Sequence, residues 1–344
     1  LDATVDEGDG SEGRAVFMGS VGKLLPSVYI AGRETHAGSP FAGVNATFLA
    51  AAITQQLECN AGLTDTVNGE TSPPPVCLKQ TDLKTYYDVT TPVAAWSYYN
   101  LLTHGLAAGV MLDRLLGEVR AAVHEAILAL RARARDYSTA SGRPTTTLDV
   151  TPLILTFADL TAHAWHHDPT GVETALQAIE HEFAANPAID LPDYSRRIYD
   201  ALWRQSGLTG PAVIVGFASV HYPAAYVGEA THAERQLRRV VAKGAASVAH
   251  DFATTIKLRT FFPGISDMSF LGGKLSEVDA ALVAANTPTR RIGSAAVEPI
   301  ASLNLPTVNI GPWGRDYHQR NERVYAPYAF AVVPELIWRV VNAL

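Results

Sequence analysis

Two histidines stand where the sequence can present a side chain for chemistry. His36 lies in GRETHAGSPFAGVNA, residues 32–46, between an extended segment and a glycine-punctuated loop. An imidazole there can bind a metal, move a proton or donate a hydrogen bond. Gly38, Pro40 and Gly43 make the loop tight, and glycine lets a backbone approach a ligand or another chain closely. His318 lies in NIGPWGRDYHQRNERVYAP, residues 309–327, after turns at Gly311, Pro312 and Gly314 and beside Asn321 and Glu322. Two readings of it stay open: a metal ligand or base beyond the end of a sheet strand, where α/β proteins place ligands, and a surface histidine next to a charged turn. In FFPGISDMSFLGG, residues 261–273, Asp267 either caps a helix through its carboxylate or positions a substrate. Asn45 carries the same choice between capping and substrate. The adjacent His166 and His167 cannot converge from one helix face and read as surface residues, while His221 in SVHYP follows a strand and is a further candidate.

The elements that must hold these residues are legible from periodicity. Val28, Tyr29 and Ile30 suit a strand near 26–35. Phe48, Leu49, Ala52, Ile53 and Leu57 recur at helical spacing over about 45–58. TSPPP forbids regular structure, and VAAWSYYNLL reads as a strand. Met111, Leu112, Leu115, Leu116, Val119, Val123, Ile127 and Leu130 mark one amphipathic helix to about 136, after which VTPLILTF gives another strand. This order predicts a two-layer unit with helices on one face of its sheet. Beyond residue 158, helices such as THAERQLRRVVAKGAASVAHDF alternate with the apolar strands PAVIVGFAS, IKLRTFF and LPTVNIG, which points to an α/β sheet buried on both faces. The chain ends in a helix containing VVPELIWRVVNAL.

Composition narrows the function classes. The 344 residues are 47% hydrophobic, enough for two domains with sizeable cores. A formal net charge of −7 without any long basic run argues against nucleic-acid binding. No apolar run approaches the roughly 20 residues of a membrane span, and no signal-peptide pattern opens the sequence, so the expectation is a cytoplasmic protein with neither membrane nor nucleic acid as a partner. Cys59 and Cys77 are too few for a disulfide framework and are not in metal-binding spacing. A metal site would therefore be built from the 11 histidines and 34 acidic residues.

THAGSPFAGVNA followed by GPWGRDYHQRNERV resembles the zinc-dependent acetylornithine deacetylase, succinyl-diaminopimelate desuccinylase and glutamate carboxypeptidase family. VGKLLPSVYIAGRETHAGSPFAGVNA, TSPPPVCLKQTDLKTYYDV and FFPGISDMSFL narrow the resemblance to the arginine-utilisation branch, and together the segments cover nearly the whole chain. The resemblance implies an α/β catalytic domain with two zinc ions, interrupted by a smaller α+β lid that dimerises through its sheet. Residues 1–22 would end the first catalytic segment, 23–156 form the lid and 157–344 the second catalytic segment. It further implies that His36 reaches the partner subunit's active site to stabilise an oxyanion, that His318 binds metal, and that an acidic residue before the lid, Asp2 in preference to Asp6 or Glu7, is another ligand. Asn45, Asp267 and Glu322 would support the site or touch substrate.

The sequence also departs from that family. An H-x-D pair, a bridging aspartate and a Glu-Glu pair that supply the remaining ligands and the general base do not occur ahead of these motifs, and the chain opens on LDATVDEGDGSEG, an acidic Gly-rich stretch. The expectation is a piece of a longer protein: either the upstream segment remains bound as a separate partner polypeptide, or the chain is an incomplete and inactive fragment. Two functions follow: a metal-dependent hydrolase of an N-acyl amino acid or small peptide, complete only with that segment, or a non-catalytic binding and dimerisation protein that retains the lid.

Overall fold

The computed structural model describes residues 14–144, 149–219, 221–273, 275–293 and 305–344. Four short strands come first: β1 (Ala15–Phe17), β2 (Gly19–Ser20), β3 (Gly22–Leu24) and β4 (Pro26–Ala31). Then follow α1 (Ala46–Leu57), the hairpin β5 (Thr66–Val67) and β6 (Glu70–Thr71), strands β7 (Val76–Asp82) and β8 (Ala94–Thr103), and the long helix α2 (Ala108–Ser141). Strand β9 (Leu153–Thr156) leads through α3 (Phe157–His167), α4 (Pro169–Ala185) and α5 (Leu191–Gln205) to β10 (Ala212–Phe217).

The apolar β4 is buried along its whole length and sits in the middle of a mixed sheet. One neighbour is β8, antiparallel from Ser27↔Tyr98 to Ala31↔Ala94, and β3 continues the same line with Gly22 opposite Thr103. The other is β10, antiparallel from Ala212↔Ala31 to Phe217↔Pro26. Strand β7 lies outside β8, and β9 runs parallel to β10. Because strand side chains alternate faces, Val28, Ile30, Val213 and Val215 meet α1 and α2 through Leu49, Ile53, Leu115 and Val119. Tyr29, Trp96 and Ile214 point the other way, onto Tyr194, Ile198, Tyr199 and Leu202 of α5.

The chain is thus mixed α/β, and two details of the sequence reading need correction. Helices cover both faces of this sheet rather than one, since a parallel pair such as β9 and β10 needs a crossover and α3, α4 and α5 supply it across the second face. The expected lid boundary at 156 also runs through the sheet, because β10 lies beyond it yet pairs with β4.

The rest of the chain carries β11 (Ala225–Tyr226), α6 (His232–Asp251), β12 (Lys257–Arg259), α7 (Met268–Gly272), α8 (Glu277–Ala285), β13 (Asn309–Ile310), β14 (Gly314–Arg315), β15 (Arg323–Val324) and α9 (Val333–Ala343). A three-stranded sheet, β12–β1–β13, packs Val16 against Val241 and Val248 of α6 and Leu336 and Val340 of α9. The segment AVF of β1 is a strand that the sequence reading did not assign. Two chain segments join this part to the larger sheet and run side by side: Lys23 N–H donates to Tyr222 O at 2.7 Å, Tyr222 N–H returns to Lys23 O at 3.0 Å, and β2 pairs with β11. Glycine is required there for close approach. A Cβ on Gly19 would lie 2.2 Å from the Ala225 carbonyl oxygen, and one on Gly22 would lie 2.6 Å from Thr103 Oγ1. No described helix is long and apolar enough to cross a membrane.

Candidate functional site

His36 sits in a loop that closes on itself. Arg33 and Val44 exchange backbone hydrogen bonds of 2.8 Å each way, and Thr35 Oγ1 donates to Ser39 O at 2.8 Å. The segment 88–91 flanks it: Ala37 N–H donates to Val89 O, Thr91 N–H to Thr35 O, and His36 and Thr90 form a β-bridge. That flank is itself braced. The Asp88 carboxylate accepts from Thr90 N–H at 2.9 Å and from its hydroxyl at 2.7 Å, and pairs with Lys84, whose ammonium also reaches Thr90 O at 2.8 Å. The hydrogen bond from Lys84, with those from Thr90, holds the Asp88 carboxyl down at about 2. These residues, in KQTDLKTYYDVT, are support that sequence reasoning missed.

The His36 ring is exposed, and its Nδ1 accepts the Gly38 N–H at 2.9 Å. A nitrogen that accepts carries no proton, so the neutral ring is the Nε2–H tautomer. The loop therefore presents an outward N–H donor, and Gly38 does more than make a turn. Asn45 is the N-cap of α1, its Oδ1 accepting from Thr47 N–H at 2.9 Å.

His318 lies in the hairpin β14–β15, where Gly314 pairs with Val324 and Arg315 with Arg323. Asp316 and His318 both adopt left-handed backbone, with φ of 56° and 59°. The Asp316 carboxylate pairs with Arg323, and the Glu322 carboxylate accepts from the His318 backbone N–H at 3.3 Å. Glu322 thus holds the backbone of His318, whose ring is exposed and edge-on to Tyr317 at 5.8 Å between centroids. Asp267 precedes α7 and is exposed, with no side-chain bond to the helix; Ser266 Oγ accepts from Met268 N–H instead, at 3.4 Å. Asp2, Asp6 and Glu7 lie outside the described residues. Among the described residues no three His, Cys, Asp or Glu side chains gather as a metal site, around His318 or elsewhere.

A cleft of about 760 Å³ opens beside the two joining segments, lined by Thr103, His104, His221, Tyr226, Ser276 and Asp279 among others. His221 Nδ1 is enclosed and has no hydrogen-bond partner among the described residues. Loss of water drives this imidazole down to about 4, against the pull of the Asp279 charge. One wall is a polar joint. The buried Asp65 carboxylate accepts from the N–H groups of His104, Gly105 and Leu106 at 2.7–2.9 Å, just ahead of α2. Glu70 accepts from Thr260 N–H at 2.8 Å and Phe261 N–H at 3.1 Å, and the His104 ring stacks on Phe261 at 4.0 Å. The β5–β6 hairpin thus ties the large sheet to the segment after β12. His166 and His167 end α3 outside this cleft, as surface positions, with His167 Nδ1 within 3.1 Å of Gln205 O.

Two proteins of Bacillus subtilis strain 168 are similar to the chain. The uncharacterized protein YqjN is 31% identical over 336 residues, 97% of this chain and 60% of YqjN. RocB is 32% identical over 332 residues, 96% of this chain and 58% of RocB. The chain spans about 60% of the length of the curated relatives it matches. No protein-family model matches. Solved structures with some likeness include an aminopeptidase PepT from Bacillus cereus, 14% identical, covering 97% of this chain and 54% of that one with a TM-score of 0.39. A hydantoinase/carbamoylase family amidase from Burkholderia vietnamiensis gives 11%, 96%, 50% and 0.42. An M20 family metallo-carboxypeptidase from Sulfolobus solfataricus gives 8%, 100%, 64% and 0.41. At such TM-scores these likenesses carry no weight for fold or chemistry.

Proposed function

We propose that the chain is part of a metal-dependent hydrolase that cleaves an amide bond of an N-acyl amino acid or small peptide, in the arginine-utilisation branch that its motifs resemble. Similarity to RocB and YqjN along nearly the whole chain supports that placement. The single observation that carries the chemistry is the His36 loop. Its Gly38 N–H occupies Nδ1 and leaves Nε2–H as an exposed donor on a braced turn, which is what stabilising a carbonyl oxyanion asks of a side chain.

His318 would be one ligand of a pair of divalent ions, zinc by the resemblance, whose chemistry is to activate the attacking water. Asp2 would be another ligand. One exposed imidazole does not hold such a pair, so the described residues alone do not fit it. The remaining ligands and the general base fall to the upstream polypeptide that the resemblance implies. What this chain's residues do is narrower. Glu322 fixes the backbone of His318, Asn45 spends its oxygen on α1 and keeps its amide free for substrate, and Asp267 faces solvent where a substrate group can reach it. His36 would serve a second subunit through its exposed Nε2–H, and β7, which has no outer neighbour among the described strands, would offer the edge for a lid-to-lid homodimer.

The test is hydrolysis of N-acyl amino acids and dipeptides by the chain together with its upstream polypeptide, before and after chelation. Chelator-sensitive cleavage is expected, with His36→Ala lowering kcat about 100- to 1000-fold while metal content stays unchanged. Hybrid dimers of His36→Ala and His318→Ala subunits should regain activity. Cleavage confined to esters, or insensitive to chelator, refutes the assignment. A dimer that takes up neither metal nor substrate is the non-catalytic binder instead.

A further inference from the structure

The opening turns of α6 carry three arginines. Arg235, Arg238 and Arg239 stand three and four residues apart, the spacings at which helix side chains are neighbours and like charges repel. Arg235 also lies in the first turn, where the helix dipole favours anions over cations. Clustered repulsion of this kind costs stability and is retained where function needs it. These side chains line a cleft of about 460 Å³ together with Arg259, and Glu229 is the one carboxylate among its described lining residues. Met18 and Thr260, which follow the parallel strands β1 and β12, also line it, so the cleft opens at the carboxyl ends of two adjacent parallel strands. Open α/β sheets bind their ligands there. Two of the arginines are held in place. Arg235 Nη1 donates to Glu229 O at 2.6 Å and to Ala230 O at 3.0 Å. Arg238 Nη1 donates to Val227 O at 2.9 Å, and its Nε faces the Glu229 carboxylate at 3.4 Å. Each keeps Nη2 without a bond among the described residues, and the exposed Arg239 has no partner among them. Arg259 is already engaged and serves only as wall. Glu70, which reaches Thr260, spends both carboxylate oxygens on backbone N–H groups.

We infer that this cleft binds a small, multiply charged anion, its phosphate or carboxylate oxygens held by the guanidinium groups of Arg235, Arg238 and Arg239. Guanidinium forks match such oxygens two at a time, and a cleft of about 460 Å³ suits a small molecule. A bound anion of this kind replaces the repulsion among the three arginines with attraction. A nucleic acid fits less well. The formal charge of −7 opposes a long polyanion, and three arginines in one cleft do not make the extended basic groove that a strand backbone follows.

The experiment is isothermal titration calorimetry of the whole chain with pyrophosphate and with citrate, at constant ionic strength set by sodium chloride. Saturable one-to-one binding of at least one of them is expected; pyrophosphate alone marks phosphate as the ligand chemistry, and citrate alone marks carboxylate. Arg239→Gln should weaken binding about 10-fold or more, the fold-change of one lost charge-assisted hydrogen bond. Arg235→Gln combined with Arg239→Gln should weaken it about 100-fold or more, while Arg120→Gln on α2 leaves it unchanged. Without ligand, Arg239→Gln should unfold at the same or a higher urea concentration, because one of three like charges is gone. The inference is overturned by no saturable binding of either anion up to about 10 mM, by binding indifferent to Arg239→Gln, or by an equal loss from Arg120→Gln. It is overturned as well by a lowered urea midpoint for Arg239→Gln, which would make that arginine a structural residue, or by tighter binding of a single-stranded DNA of about 12 nucleotides. Binding is the readout, so the outcome does not depend on whether the chain takes part in amide hydrolysis.

Discussion

Replacing Asp65 with alanine should cost more stability than its place in a polar turn suggests. Its buried carboxylate takes N–H groups from three successive residues, His104, Gly105 and Leu106, at the entrance to α2, whose N-cap position, Ala107, has no side chain able to cap. A hydrogen bond to a charged group contributes about 1.5–3 kcal/mol, and a buried N–H left without a partner costs about 1–3 kcal/mol. Full loss of three such bonds would cost about 4.5–9 kcal/mol on those figures, but His104, Gly105 and Leu106 line the cleft and water can replace part of what is lost. The working figure is about 3–4 kcal/mol for Asp65→Ala, and about half of that for Asp65→Asn, which keeps one acceptor. Because a chain of this size need not unfold in one step, the assay pairs urea unfolding with amide hydrogen exchange at the start of α2. Protection should fall there and at Phe261, which Glu70 and His104 tie to the same joint. A loss below about 1 kcal/mol, or one spread evenly over α2, would refute the reasoning, since the N–H groups that lose their acceptor lie just ahead of the helix and the opening should be local to its entrance.

Other consequences are as direct. His221, held down at about 4 by burial, binds its proton more readily in the unfolded chain, near pH 6.5. The stability it confers is therefore complete above about pH 6.5 and is lost as pH falls toward 4, by on the order of 3 kcal/mol at most. His221→Phe should flatten the unfolding midpoint between pH 7 and 4, and an unchanged slope would show that the ring is solvated. Gly216→Ala would set a Cβ 2.1 Å from Tyr199 Oη and 2.8 Å from the Asn286 carbonyl oxygen. That overpacking should cost about 1–3 kcal/mol or more in thermal unfolding, and Gly216→Ala combined with Tyr199→Phe should cost less than the sum of the two.

What was legible in the sequence follows the range of the forces that set it. Asn45 was weighed as a helix cap, and the structure shows that role, because capping is decided within two residues. The stripes of α1 and α2 were legible for the same reason, since a helix declares its buried face over a few turns. PAVIVGFAS declares a buried strand equally well. Its neighbour β4, however, lies roughly 180 residues earlier, and no local signal names it. The boundary at 156 fell where the pattern changed to helices, although Tyr194, Ile198 and Tyr199 are the second cover of the sheet that β4 begins.

Asp65 and Glu70 were invisible for a related reason. In TDTVNGETSPPP they read as turn residues, and their partners are backbone N–H groups about 40 and 190 positions away, which carry no side-chain signature. The His36 loop shows both limits together. Its glycines and its exposure follow from composition, yet the feature that gives the imidazole a defined donor is a single N–H from Gly38, two residues on. Sequence can place a histidine in a tight loop, but which nitrogen faces outward depends on one backbone rotation. Chemistry read from a motif is therefore most secure when, as at Gly38, the group that selects the tautomer lies inside the motif itself. It is least secure at His318, where no group of three metal-ligating side chains is described and Glu322, the neighbour the sequence offered, is committed to the backbone.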